Sequence, residues 1–153
     1  MHARRIAPLL LGAALVAGCG GSSRLSKAQY EAKAKADGAV VQTAVVKISG
    51  NPSSLAALAK EVAAAETAVN KAADDLGSAK PPANAEADNA KIVAALRAVA
   101  VQLEKLKKAA AAGDPAAAQA AATAIQHAPE IKSAQAAAKD LKAKGYDIGV
   151  IGG

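Results

Sequence analysis

Aromatic side chains are nearly absent from this chain. Its 153 residues include two Tyr and no Phe or Trp, whereas 46 are Ala. Burial free energy follows apolar area, at roughly 25 cal/mol per Å², so a core of methyl groups stabilises less per residue than one of leucines. With no Phe or Trp and only two Tyr, the chain also lacks a platform on which nucleic-acid bases would stack. Because alanine is the strongest helix former, the composition predicts an all-α protein with a thin core and no nucleic-acid partner.

Residues that commonly catalyse reactions or bind metals are also scarce. One Cys excludes an intramolecular disulfide, and of the two His, His2 lies at the extreme N-terminus. His127 and Glu130 form a single reversed pair across a proline, which is more typical of a surface histidine than of the repeated pairs in a di-iron bundle. Asp74 and Asp75 are helix neighbours that point to different faces. We therefore predict no catalytic, cofactor-binding or metal-binding residues, and a protein that is not an enzyme.

The first eighteen residues have the three-part organisation of a secretory signal. Two arginines at positions 4 and 5 precede an almost uninterrupted apolar run over residues 6–16, and two small residues follow it. The run is too short to cross a bilayer as a stable helix. We predict that residues 1–18 are a signal peptide.

The single cysteine directly follows this signal. Val16-Ala17-Gly18-Cys19 resembles the lipobox of bacterial lipoproteins. The resemblance implies diacylglyceryl transfer to the Cys19 thiol, cleavage before Cys19, and acylation of the new amino terminus by a fatty acid such as palmitate. Two acyl chains suffice for a stable hold on a membrane. We therefore expect residues 19–24 to be a lipidated cysteine and a flexible tether, on the extracytoplasmic face of the cell membrane; an ordinary signal peptide with an incidental cysteine is the alternative.

Apolar residues recur every three or four positions over residues 25–145, the spacing of one face of a helix. Glycines or prolines divide this region into four stretches, at Gly50, at Gly77 with Pro81-Pro82, and at Gly113. We predict an antiparallel up-down bundle of about four Ala-rich helices. An extended coiled-coil rod is the alternative, and it is disfavoured because each run lasts only about three heptads.

The predicted helix ends have specific signals. Ser26 with Gln29 forms a capping box for the first helix. Asn51-Pro52 and Asp114-Pro115 place a proline in the first turn of the second and fourth helices, and Pro129 must kink or split the fourth. The apolar positions of the first helix are Tyr30, Ala34, Val41, Val45 and Ile48. The large side chains that we predict to carry most of the core are Leu58, Val62, Leu96, Val99 and Leu103.

Residues 146–153 form a tail that departs from the helical pattern. Gly145 ends the fourth helix, and Tyr146, Ile148, Val150 and Ile151, which follow it, are apolar or amphipathic. The tail either folds back to cover contacts near Pro129 and the first helix, or docks on a partner as an extended strand.

The formal charge of +6 includes the arginines of the signal, so residues 19–153 hold 17 basic and 13 acidic side chains, a net charge of +4. A mildly positive surface fits a compartment with anionic lipids or wall polymers. Lysines that only keep an alanine-rich bundle in solution are the alternative.

Short motifs spread over residues 25–146 resemble a group of small, uncharacterised, exported actinobacterial helical proteins. The matching segments are Leu25-Ser26-Lys27-Ala28-Gln29-Tyr30, Pro81-Pro82-Ala83, Ala109 to Asp114 and Gly145-Tyr146. The resemblance implies a helical fold and export but no activity. Many of those proteins have a cysteine in the first helix and another at the C-terminus, which suggests a disulfide; Asp37 to Val41 and Val150-Ile151 occupy those regions here.

These signals predict a membrane-anchored extracytoplasmic lipoprotein without a cofactor. Its expected role is a binding or interaction module, with a cell-envelope protein or an anionic wall polymer as partner. A structural spacer that interacts non-specifically with lipid or wall polymers is the alternative. An apolar patch on the tail and one helix face favours the module, and an evenly charged surface favours the spacer. A ligand carrier is disfavoured, because alanine-lined seams leave no cavity of several hundred Å³.

Overall fold

Helices account for most of the structure, a computed structural model that describes residues 23–50 and 52–149. The α-helices are α1 (Lys27–Ser49), α2 (Leu55–Ser78), α3 (Glu86–Ala111), α4 (Pro115–His127) and α5 (Pro129–Ala143), and a 3-10 turn (Ala83–Ala85) leads into α3. The described residues contain no strand, and α4 with α5 forms one arm bent by 33°. The predicted all-α bundle with a split fourth helix is therefore confirmed.

The start of α1 forms as its sequence predicts. The Ser26 hydroxyl accepts a hydrogen bond from the Gln29 backbone N–H at 3.3 Å, and the Gln29 side chain accepts one from the Ser26 N–H at 2.9 Å. This reciprocal pair satisfies two backbone donors that have no partner within the helix.

The start of α2 lies later than the sequence predicts. Pro52 precedes the helix, and the Ser54 side chain caps it by accepting a hydrogen bond from the Ala57 N–H at 3.1 Å. A proline only supplies a compatible backbone angle, whereas a serine oxygen satisfies a free donor. Asn51, the other residue of the predicted start, lies outside the described residues.

Pro129 divides the last arm. Proline has no N–H to donate to the preceding turn, and its ring clashes with that turn. Ala128 accordingly adopts an extended conformation (φ −61°, ψ 125°) between α4 and α5. Both halves still pack against α3, which contacts α2, α4 and α5.

Helices α2 and α3 run antiparallel. Lys107 near the end of α3 pairs with Glu66 in α2 at 2.5 Å, while Asn89 at the start of α3 donates to the Leu76 carbonyl at the end of α2. Helix α1 packs mainly on α2. Since α3 packs against three other helices and α1 mainly against one, α1 is an outer helix of the bundle.

The core consists of two clusters along the bundle axis. The cluster at the end where α1 begins contains Tyr30, Ala34, Leu76, Ala85, Ile92, Val93, Ala137, Ala138, Leu141, Tyr146 and Ile148. The cluster at the opposite end contains Val62, Ala65, Val69, Ala100, Leu103, Leu106, Ala118 and Ala121. Alanines make up close to half of these residues, so the core is thin, as predicted. Among the predicted core residues, Val62 and Leu103 are buried, whereas Leu58, Leu96 and Val99 are partly buried at the margin of the second cluster.

Leu103→Ala tests how strongly this thin core depends on its few large side chains. Truncation of a buried leucine commonly costs about 2–5 kcal/mol, and Leu103 is only 3% exposed. We expect the largest loss of unfolding free energy for Leu103→Ala, a smaller one for the partly buried Leu96→Ala, and almost none for the exposed Lys105→Ala. Thermal and denaturant unfolding measure all three, and equal losses would contradict the assigned burial.

Candidate functional site

The described residues hold no cluster of side chains suited to a metal ion. Among residues 23–50 and 52–149, no group of three or more His, Cys, Asp or Glu side chains is arranged to hold a metal ion. His127 is exposed in the last turn of α4, and Glu130 lies in the first turn of α5. Cys19, the predicted lipidation site, lies outside the described residues.

None of the described helices is both long enough and apolar enough to cross a bilayer.

The chain enters the bundle beside the connection between α2 and α3. The Leu25 N–H donates to the Lys80 carbonyl at 2.7 Å, and the Arg24 guanidinium donates to the Pro81 carbonyl at 3.0 Å. Arg24 also pairs with Glu86 at 2.8 Å. We call this end, formed by the start of α1, the α2–α3 connection and the end of α5, the entry end.

The only two tyrosines of the chain meet at the entry end. The rings of Tyr30 and Tyr146 lie 5.8 Å apart at 86°, an edge-to-face arrangement that aromatic pairs favour. The Tyr30 hydroxyl donates to Asn89 Oδ1 at 3.1 Å, and Asn89 Nδ2 donates to the Leu76 carbonyl. Burial, reinforced by the negative charge of Asp88, raises the pKa of Tyr30 to about 12. The pair therefore joins the tail to α1 and, through Asn89, to α2 and α3.

An ion pair between a buried carboxylate and an exposed lysine closes the entry end. Asp88 is 1% exposed and accepts a hydrogen bond from Lys144 at 2.6 Å, with Lys91 at 3.6 Å on its other oxygen. The hydrogen bond to Asp88 raises the pKa of Lys144. Sequence reasoning missed this role, because Asp88 in the first turn of α3 also has the position of an ordinary dipole-complementing residue. Its partner is 56 residues away, and no local pattern indicates such a pairing.

The described part of the tail packs on the bundle. Tyr146 and Ile148 are buried, and the Tyr146 hydroxyl donates to Asn84 Oδ1 at 2.6 Å. Asp147 lies against α1: its N–H donates to Glu31 at 2.9 Å and its carboxylate accepts from Lys35 at 2.6 Å.

The predicted contact of the tail with the first helix is therefore confirmed. The predicted contact near Pro129 is wrong, because Pro129 begins α5 whereas the tail follows the other end of that helix. Val150 and Ile151 lie outside the described residues. An apolar patch shared by the tail and a helix face is not formed by the described residues, since Tyr146 and Ile148 face the core.

The exposed large apolar side chains concentrate on α1. Four valines among the described residues are highly exposed, and three of them, Val40 (53%), Val45 (45%) and Val46 (62%), lie on this helix; the fourth is Val101 (51%) on α3. The prediction that Val45 belongs to the core-facing side is wrong. Helix α1 packs mainly on α2. Helix α2 covers only part of the apolar surface of α1, and these valines lie on the uncovered part.

These valines belong to an exposed surface without charge. Between Lys35 and Lys47, the one charged residue of α1 is Asp37, which turns toward α2, where burial raises its pKa. We call the exposed remainder of this segment the α1 apolar face. Its residues are Ala36, Ala39, Val40, Gln42, Thr43, Val45 and Val46.

Two open grooves flank α1 along this face. One has a volume of about 460 Å³ and is lined by Gly38, Val41, Gln42, Val45, Val46, Ala72 and Leu96. The other has a volume of about 360 Å³ and is lined by Ala39, Val40, Thr43, Ala44, Lys47, Glu61, Ala64 and Ala68. Both are open surface grooves, which form because α1 rests on its neighbours along one side only; the prediction that a methyl-lined core offers no cavity of several hundred Å³ concerns the interior.

No protein-family model, curated protein or solved structure matches the chain. The resemblances to bacterial lipoproteins and to exported actinobacterial proteins therefore stay predictions.

Ile148→Ala tests the packing of the tail. Truncation of a buried isoleucine commonly costs about 2–5 kcal/mol, whereas loss of an exposed ion pair costs about 0–1 kcal/mol. We expect Ile148→Ala to lower the melting temperature clearly, and Asp147→Ala, which removes the exposed pair with Lys35, to lower it little. An unchanged melting temperature for Ile148→Ala would mean that the tail does not stabilise the bundle.

Tyrosine ionisation tests the burial of Tyr30. Because its pKa is about 12 in the folded chain and 10.0 is the usual value, folding favours the neutral phenol. This contribution to stability is complete below pH 10 and is lost as the pH rises toward 12. In Tyr146→Phe, Tyr30 is the only tyrosine; the variant removes the last of the three causes of the shift, and the ultraviolet absorbance of Tyr30 should still report a midpoint clearly above 10.0. Ionisation near pH 10 with the helical circular dichroism retained would contradict the burial.

Proposed function

We propose that this chain is a lipoprotein, held on the extracytoplasmic face of the cell membrane through lipid on Cys19, and that it acts there as a binding module. The lipobox-like Val16-Ala17-Gly18-Cys19 supports the anchor. The single cysteine of the chain is the last residue of this motif, which supports it further. The early start of the fold is consistent with this role. Arg24 and Leu25 already contact the α2–α3 connection, so a short tether joins the anchor to the bundle.

The observation that carries the binding role is the exposure of the α1 apolar face. Several charged side chains elsewhere on the surface pair with one another, as in Arg24 with Glu86 and Lys108 with Glu104. The α1 apolar face has no charged residue and exposes three valines. Contiguous exposed apolar surface commonly marks a contact with a protein, a ligand or a membrane.

A structural spacer is the second candidate. The net charge of +4 over residues 19–153 favours loose contact with anionic lipids or wall polymers. A spacer needs no apolar contact surface, however, and the α1 apolar face then has no role. The uneven distribution of charge on α1 therefore favours the module. We propose no catalytic role, cofactor or metal for either candidate.

Cys19→Ser tests the anchor. Lipid transfer requires the thiol, so cells fed an alkyne fatty acid should incorporate label into the wild-type protein and none into Cys19→Ser, which should stay unprocessed or be released. Ser22→Ala, which changes a neighbouring hydroxyl and keeps the thiol, is the matched control and should be labelled normally. Labelling of Cys19→Ser at the wild-type level would refute the assignment of Cys19.

A further inference from the structure

The length of the tether limits how far the bundle can lie from a membrane that holds Cys19. Three residues lie between Cys19 and Ser23, the first described residue, and the four steps along the chain span at most about 14 Å. Arg24 and Leu25 then fix the chain to the entry end. If Cys19 is lipidated, as proposed above, Ser23 is held within this distance of Cys19, and the entry end of the bundle lies close to the bilayer surface.

The hydroxyl groups on and beside the α1 apolar face do not require water. The Thr43 hydroxyl donates to the Ala39 carbonyl at 2.8 Å, and the adjoining Ser49 hydroxyl donates to the Val45 carbonyl at 3.1 Å. A hydroxyl without a partner is costly to transfer into an apolar medium, and these two already have partners within the helix. Gln42 contributes the one side-chain amide of the face.

Lysines border this face at both ends. Lys35 precedes it and Lys47 follows it, and both are exposed. Lysines at the edge of an apolar helix face bury their methylene groups and extend the ammonium toward the headgroups. Helix α1 as a whole carries four lysines and two acidic residues. Lys27, Lys33 and Lys35 pair with carboxylates of the protein, so Lys47, at the far end of the face, is the lysine of α1 best placed to contact anionic lipids.

The size of the face fits a bilayer better than a second copy of the chain. Residues 36–46 extend over about 16 Å of helix, and most of their side chains are small. A stable protein interface buries about 800 Å² on each partner, which is more than three turns of such a helix provide. A bilayer needs no complementary shape, and the lipid on Cys19 already supplies most of the hold.

We propose that the α1 apolar face lies on the bilayer to which the chain is anchored, with α1 parallel to the membrane plane and Val46 below the headgroups. In this arrangement the lipid anchor determines that the chain stays on the membrane, and α1 determines which side of the bundle faces it. The flanking grooves then face lipid, and the sides of the bundle away from α1 face the extracytoplasmic space.

A pair of valines of similar exposure allows a matched test. Val46 belongs to the α1 apolar face, whereas Val101 on α3 lies one helical turn from both Arg97 and Lys105. In the lipidated full chain the Cys19 thiol is consumed, so a cysteine introduced by Val46→Cys or Val101→Cys is the one reactive thiol. Each variant is spin-labelled and reconstituted into vesicles of phosphatidylethanolamine and phosphatidylglycerol. Collision rates with oxygen, which partitions into lipid, and with a water-soluble nickel chelate report the depth of the label.

We expect the label at position 46 to collide several-fold more with oxygen than with the nickel chelate, relative to the label at position 101. Protein that floats with the vesicles while both labels are equally accessible to the chelate overturns this inference, keeps the anchor and favours the spacer. Spin–spin broadening between labels at position 46 also overturns it, because a second copy then covers the face. Protein that does not float and lacks acylation of Cys19 overturns the proposed anchor itself.

Discussion

The small apolar area of alanine is the constraint on which the other features of this bundle depend. Two core clusters along the axis contain alanine at close to half of their positions, so each large side chain contributes an unusual share of the stability. Helix α3 compensates for the small side chains by packing against three other helices at once. The tail adds buried apolar area, because Tyr146 and Ile148 join the cluster at the entry end.

The entry end combines this apolar packing with buried polar groups that have partners. The buried carboxylate of Asp88 accepts a hydrogen bond from the exposed Lys144, and Asn89 links the Tyr30 hydroxyl to the backbone of α2. A buried carboxylate without a partner is strongly destabilising. Any arrangement that displaces α5 or the tail, and with it Lys144, would remove the lysine that donates a hydrogen bond to Asp88. Arg24 and Leu25 contact the bundle at the same end as the tail, where α1 begins.

Local signals predicted the helices well, because each signal depends only on a few neighbouring residues. Ser26 with Gln29 predicted the start of α1, and Pro129 predicted the division of the last arm, since caps and proline sterics act within one turn. Periodicity also gave the buried side of α2 and α3. It failed at Val45, because a stripe of apolar residues does not indicate whether a neighbouring helix covers it. The partners of Asp88 and the position of the tail were out of reach for the same reason, as both depend on contacts between distant parts of the chain.

The central claim is that the lipid anchor and the α1 apolar face together hold the bundle on its side against the membrane. The thickness of the protein layer on a supported bilayer, measured by neutron reflectometry with the lipidated chain, tests this most directly. Helix α3 has 26 residues and is about 39 Å long, whereas two helix diameters are about 20 Å. The account predicts a layer close to the smaller value in contact with the headgroups. A layer close to the larger value, or one separated from the headgroups by water, would contradict it.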